Sequence, residues 1–252
     1  FCDGETDISD ASRAIKDDEA ATCAENGIEF TEIQVGIDGI AVMTSANNGA
    51  VDCVSFADIY GLVGPESTGF GSWADGNELS AELGGDGAMP DAPLDIFGPG
   101  EESGTFDSFI EIVLEDFADE RGQEAITRPD YNPSADDNVI LQVIQGSDTI
   151  FGWVGFAFAA NAEDVKLLQV DNGESGCVDA TPETIASNEY PVSRPLFIYV
   201  NNAKYAESEA LQAFTAFYLA DGLDTAVGEV GYVPLTDDAK AEVRSSAEAS
   251  LG

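Results

Sequence analysis

The chain contains no histidine, and only 9 of its 252 residues are Lys or Arg, against 49 Asp or Glu. Without His, its own residues cannot supply a Ser–His or Cys–His nucleophilic pair or a His-ligated metal. A formal net charge of −40 repels polyanions, which excludes DNA, RNA and anionic lipid surfaces as partners. Long apolar runs are also missing. Residues 196–200 form one of the longest, far short of the ~20 residues that span a bilayer. The four cysteines form no Cys-x-x-Cys pair, which argues against zinc and thioredoxin-like redox sites. Neither a Walker phosphate loop nor a calcium-loop pattern occurs, and no internal repeat is visible. No secretory leader is visible, and the chain opens at Phe1-Cys2-Asp3 as a mature or trimmed product would.

The residues that are present describe a globular protein. Hydrophobic residues make up 44%, enough for a substantial core in one large or two ordinary domains. The charged fraction, 23%, is ordinary and only its sign is skewed. A solvated acidic surface suits a salty medium, where salt screens self-repulsion; cation binding is the alternative reading. An even number of widely spaced cysteines, Cys2, Cys23, Cys53 and Cys177, fits two disulfides in an oxidising compartment. Three pairings are open, and four buried free thiols remain the other possibility. Cys2–Cys23 with Cys53–Cys177 is preferred, because the first pair flanks one strand–helix unit.

Helical patterns cover residues 17–26, 105–120, 137–145, 156–162, 207–219 and 237–250. Strand patterns cover 28–35, 39–44, 94–97, 150–154 and 196–200, and a short strand lies within 4–13. Residues 47–91 read as Gly-rich and irregular, with a short helix near 56–60. Phe106, Phe109, Ile110, Val113 and Phe117 share one helical face and read as core. Strands alternating with helices predict an α/β protein with largely parallel sheets.

Two segments carry chemistry. After the strand at 94–97 a Gly/Pro-rich loop leads to Ser103-Gly104-Thr105, which opens an amphipathic helix. A helix N-terminus offers unpaired N–H groups and partial positive charge, and Gly104 would let a ligand approach the backbone. Capping by Ser103 is the plainer reading. The second segment runs from Gly4 through Asp10 and Ser12 to Arg13, one of five arginines. Arg is shaped for a bidentate oxyanion grip, but a surface pair with an acidic neighbour is equally compatible.

The blocks Phe1-Cys-Asp-Gly-Glu-Thr-Asp-Ile-Ser-Asp-Ala-Ser-Arg-Ala-Ile, Phe97-Gly-Pro-Gly-Glu-Glu-Ser-Gly-Thr-Phe-Asp, Ser193-Arg-Pro-Leu-Phe-Ile-Tyr-Val and Val230-Gly-Tyr-Val-Pro-Leu resemble phosphate-binding proteins of the phosphate ABC transporter. Asp136-Asp-Asn138 and Phe151-Gly-Trp-Val-Gly-Phe-Ala157 also fit, in the family's order. The resemblance implies a non-catalytic, two-lobed fold of the periplasmic-binding-protein type. A ligand cleft would lie between lobes joined by two crossing strands, near 39–44 and 196–200. Lobe I would comprise 1–41 and 197–252, and lobe II 42–196.

The implied function is to bind inorganic phosphate outside the cytoplasm and deliver it to membrane ABC permease subunits, without cofactor or metal. The implied phosphate-binding residues are Asp10, Ser12, Arg13, Ser103, Gly104 and Thr105. Asp10 would accept the ligand's proton and so favour phosphate over sulfate. Two departures from the family stand out. The usual N-terminal stretch with its own phosphate loop does not precede Phe1, and Pro99 occupies the position of a common Arg, which makes Arg13 the expected relocated cation. The complete protein would be monomeric, periplasmic or extracellular, with lipid anchoring open through that N-terminal stretch. Alternatives are a receptor for another oxyanion such as sulfate or molybdate, a secreted hydrolase using a carboxylate dyad among Glu101, Glu102 and Asp107, and an acidic interaction module.

Overall fold

The computed structural model describes all 252 residues. Its strands are β1 (Ile8–Ala11), β2 (Phe30–Ser45), β3 (Cys53–Ser55), β4 (Ile96–Pro99), β5 (Asn132–Ser134), β6 (Phe151–Gly155), β7 (Val165–Leu167), β8 (Gln169–Asp171) and β9 (Ser193–Asn201). The chain divides into two compact units. One holds Phe1–Asp38 and Arg194–Gly252, the other Gly39–Ser193. The chain passes from one unit to the other within β2 and again at the start of β9.

In the first unit β1 lies antiparallel on β9, with Asp10 opposite Ile198 and Ala11 opposite Phe197, and β9 neighbours β2. The helices Asp17–Glu25, Asn202–Glu207, Glu209–Phe217 and Asp237–Leu251 complete it, and a π-helical segment, Tyr218–Ala226, extends the third of these. The buried interior includes Ile33, Ile37, Ile198, Val200, Leu211 and Leu223. Each fully buried side chain of this size contributes about 1.5–3 kcal/mol.

In the second unit β2 is flanked by β6 and β7, both antiparallel to it, and the sheet continues through β4 to β5. β4 is parallel to β6 and β5, and β3 pairs with β8 in a separate parallel ribbon. The sheets are therefore mixed rather than largely parallel, because the long β2 runs opposite to the strands beside it. Aromatic rings fill this core. Trp153 and Phe109 stack at 4.3 Å, Trp73 meets Phe151 edge-on at 5.6 Å, and Trp73 Nε1 donates to the Thr149 carbonyl at 2.8 Å.

The glycines predict two separate strands, 28–35 and 39–44, where β2 lies. In the structure the strand is continuous for 16 residues. A Cβ on Gly36 would lie 2.8 Å from Val227, and one on Gly39 2.7 Å from Ile185. These glycines admit close packing and do not mark a turn. Residues 47–91 are also more regular than expected. Phe56–Val63 and Asn77–Glu82 are helices, the first closed by a Ser55/Asp58 capping box. The helix expected over 105–120 runs as Gly104–Phe109, a π-helical turn Ile110–Leu114, and Glu115–Arg121.

Both disulfides of the preferred pairing are present. Cys2–Cys23 lies in the first unit and Cys53–Cys177 in the second, and no cysteine is free. No helix is long and apolar enough to cross a membrane.

Candidate functional site

The candidate residues fall into two local groups, one in each unit. In the second unit β4 ends at Pro99, whose carbonyl accepts from the Tyr131 hydroxyl at 2.9 Å. A tight turn follows, with Ser103 N–H donating to the Gly100 carbonyl at 3.0 Å. Ser103 is the N-cap, and its Oγ accepts from the Thr105 N–H at 3.2 Å. The capping reading of Ser103 is therefore correct locally. Its hydroxyl proton is not used by that bond and stays available to an anion.

Gly104 is exposed, and a Cβ placed on it would meet nothing within 4 Å. Ser108 Oγ donates to the Gly104 carbonyl, which fixes the first turn. Thr105 is half-buried, with its Oγ1 facing Gly155. Glu101, Glu102 and Asp107 are exposed and border a 980 Å³ cavity together with Phe106 and Tyr131.

In the first unit the end of β1 separates two cavities that share Asp10, Ala11 and Ser12. One, of 420 Å³, is bordered by Ser9, Arg13, Glu19 and Tyr199. The other, of 660 Å³, is bordered by Arg194, Phe214, Phe217 and Tyr218. Asp10 is exposed at the mouth of both. Burial, and then the charge of Asp10, push the Tyr218 hydroxyl above its ordinary range.

Arg13 is already engaged. Its Nη1 and Nη2 donate to the two Glu19 carboxylate oxygens at 2.9 and 2.7 Å, a planar fork. That pairing, helped by the Lys16 N–H, holds the Glu19 carboxyl down to about 2.

Arg194 was not among the sequence candidates, yet it stands closer to their chemistry. Its Nη1 donates to Ser12 Oγ at 2.9 Å, and its Nε lies 3.6 Å from Asp38 Oδ2. The Arg194 and Asp38 side chains are only 17% and 14% exposed. Burial raises the Asp38 carboxyl above its ordinary value, outweighing the lowering by Arg194. The signal that could have found Arg194 is register. Extending the β1–β9 pairing past Ala11 sets Ser12 opposite residue 196, with Arg194 diagonal to it.

The family model for the PBP superfamily domain matches residues 1–221. The chain belongs to the PBP superfamily. Among known proteins it is 36% identical over 243 residues to Protein SphX of Synechocystis sp., covering 95% of this chain and 67% of that one. It is 28% identical over 253 residues to the phosphate-binding protein PstS of Staphylococcus saprophyticus, covering 100% of this chain and 72% of that one. Among solved structures it resembles a possible phosphate binding protein from Planctomyces limnophilus. That match has a TM-score of 0.86 and 32% identity, and covers 100% of this chain and 84% of the other. The resemblance drawn from the sequence motifs and the PBP-type α/β fold agree with these matches.

Proposed function

We propose that this PBP-superfamily chain is an extracytoplasmic solute-binding protein that takes up inorganic phosphate for an ABC permease, with no catalytic step. The observation that carries the reading is the Ser103-Gly104-Thr105 segment at the start of a helix, where two hydroxyls flank a glycine with room for a Cβ. Hydroxyl donors at the positive end of a helix suit a tetrahedral oxyanion. The relatives named for phosphate binding support the same ligand class. Two disulfides favour an oxidising compartment.

Each unit contributes a proposed phosphate-binding set: Asp10, Ser12 and Arg13 in the first, Ser103, Gly104 and Thr105 in the second. Asp10 is the selectivity element. A carboxylate can accept a hydrogen bond from the hydroxyl of hydrogen phosphate, whereas sulfate has no proton to offer and meets only repulsion. Arg13 serves at the border of the set, since Glu19 already occupies its fork.

Isothermal titration calorimetry with phosphate and with sulfate tests the proposal. Saturable phosphate binding with sulfate at least tenfold weaker is expected, and Asp10→Asn should erode that ratio. Equal affinity for the two anions would shift the reading to a general oxyanion receptor. Heat from neither would overturn it.

A further inference from the structure

Nine cations must serve 252 residues carrying 49 carboxylates, so where each cation stands is informative. Arg121 pairs with Glu66 and Glu82, Arg128 with Asp130, and Arg244 with Asp224. Lys166 pairs with Asp52, Lys204 with Asp7, and Lys240 with Asp224. Lys16 is exposed and acts on Glu19. Arg13 spends both terminal nitrogens on Glu19 at a half-exposed site. Arg194 donates to a hydroxyl of the proposed phosphate set, and it does so from a largely buried position bordering the same cavity as Asp10 and Ser12.

The direction of that hydrogen bond matters. Arg194 Nη1 is a donor only, so Ser12 Oγ is the acceptor. One Ser12 lone pair is thereby occupied, and its O–H is turned away from the guanidinium and left free to donate. A hydroxyl that accepts from a cation is also a stronger donor, because successive hydrogen bonds polarise one another. Asp38 anchors the other edge of the guanidinium, on the strand that leaves this unit one residue later. Burial disfavours the charged form of Asp38 and outweighs the opposing effect of the Arg194 guanidinium.

We propose that Arg194 is the positioning residue of the phosphate set in the first unit: anchored on Asp38, it orients and polarises the Ser12 hydroxyl toward the anion and supplies the positive charge beside it. This rests on the phosphate reading above and extends it to a residue 182 positions from Ser12 in sequence.

The test is calorimetry with inorganic phosphate on the parent, Arg194→Gln, Arg194→Lys, Ser12→Ala and the Arg194→Gln/Ser12→Ala double variant, with thermal melting as the control for folding. Arg194→Gln should weaken binding about ten- to hundredfold, the range for a lost hydrogen bond to a charged group. Arg194→Lys should recover part of that loss, because one ammonium can reach Ser12 but cannot also match the Asp38 edge. A role through Ser12 requires non-additivity: the double variant should bind nearly as well as Arg194→Gln alone. A merely structural Arg would instead give additive losses that follow the melting temperature. Additive losses, or Arg194→Gln binding within twofold of the parent, overturn the inference while phosphate binding by the parent stands. If Arg194→Gln does not fold, the Arg194→Lys and Ser12→Ala/Arg194→Lys pair supplies the same cycle. A parent that binds no phosphate overturns the functional reading, and this inference with it.

Discussion

Removing the Cys53–Cys177 bond should destabilise the protein more than any other single cross-link change available to it. The two cysteines are 124 residues apart, against 21 for Cys2–Cys23. In the folded protein the segments are already held together. β3 pairs with β8, setting Cys53 opposite Gln169, and Val170 and Val178 exchange two backbone hydrogen bonds at 3.0 Å. The bond therefore acts mainly on the unfolded chain, by closing a long loop. Chain-entropy arithmetic gives about 4.9 kcal/mol for the long loop and about 3.3 kcal/mol for the short one. Since domains are stable by roughly 5–15 kcal/mol, the larger loss is a substantial part of the whole. Cys23 is fully buried, so its replacement also forfeits packing of about 1 kcal/mol, which narrows the gap between the two variants without reversing it. The assay is guanidinium unfolding followed by circular dichroism, comparing the parent with Cys53→Ala/Cys177→Ala and Cys2→Ala/Cys23→Ala. A loss below about 2 kcal/mol for the long-loop pair would refute the argument that loop closure dominates.

Other expectations follow from single contacts. Arg13→Ala should weaken phosphate binding only about two- to tenfold in calorimetry, less than loss of Arg194, because its fork is committed to Glu19. Gly98→Ala would place a Cβ 2.5–2.6 Å from the Trp153 ring, which Phe109 holds in place, so thermal denaturation should show a loss of about 1–3 kcal/mol. Arg128 holds the Asp130 carboxyl down to about 2. Its contribution is present above the unfolded value near 3.8 and is lost as pH falls through about 2, so Asp130→Asn should flatten the acid limb of a pH–stability curve. Raising salt should leave phosphate affinity unchanged or slightly improved, since short hydrogen bonds act against a screened acidic field; a steep loss in a salt titration would contradict that balance.

Features set by near neighbours were legible in the sequence. Ser103 opens its helix as its residue type and spacing predict, and the cysteines pair as the strand–helix unit suggested. The apolar stripe at Phe106, Phe109 and Val113 is buried as its period requires. Readings failed where a residue's meaning came from a distant partner. Gly36 and Gly39 look like strand breaks until Val227 and Ile185 are packed over them. The helix Asn77–Glu82 lies in a Gly-rich stretch that reads as irregular, and its Ser80 donates to the remote Asp58.

Arg194 shows the same limit at the site itself. Locally it is an Arg before a Pro at the head of an apolar strand, with nothing to connect it to an anion. Antiparallel pairing of β1 on β9 brings it diagonally to Ser12, and β2 supplies Asp38. Local sequence showed Arg13, beside Asp10 and Ser12, as the available cation, but the neighbouring helix brings Glu19 to it first. In a chain so rich in carboxylates, proximity in sequence is a poor guide to which cation can serve an anion. Any surface guanidinium is captured by the nearest acid. Arg194 instead holds the Asp38 carboxylate and the Ser12 hydroxyl together from a largely buried position.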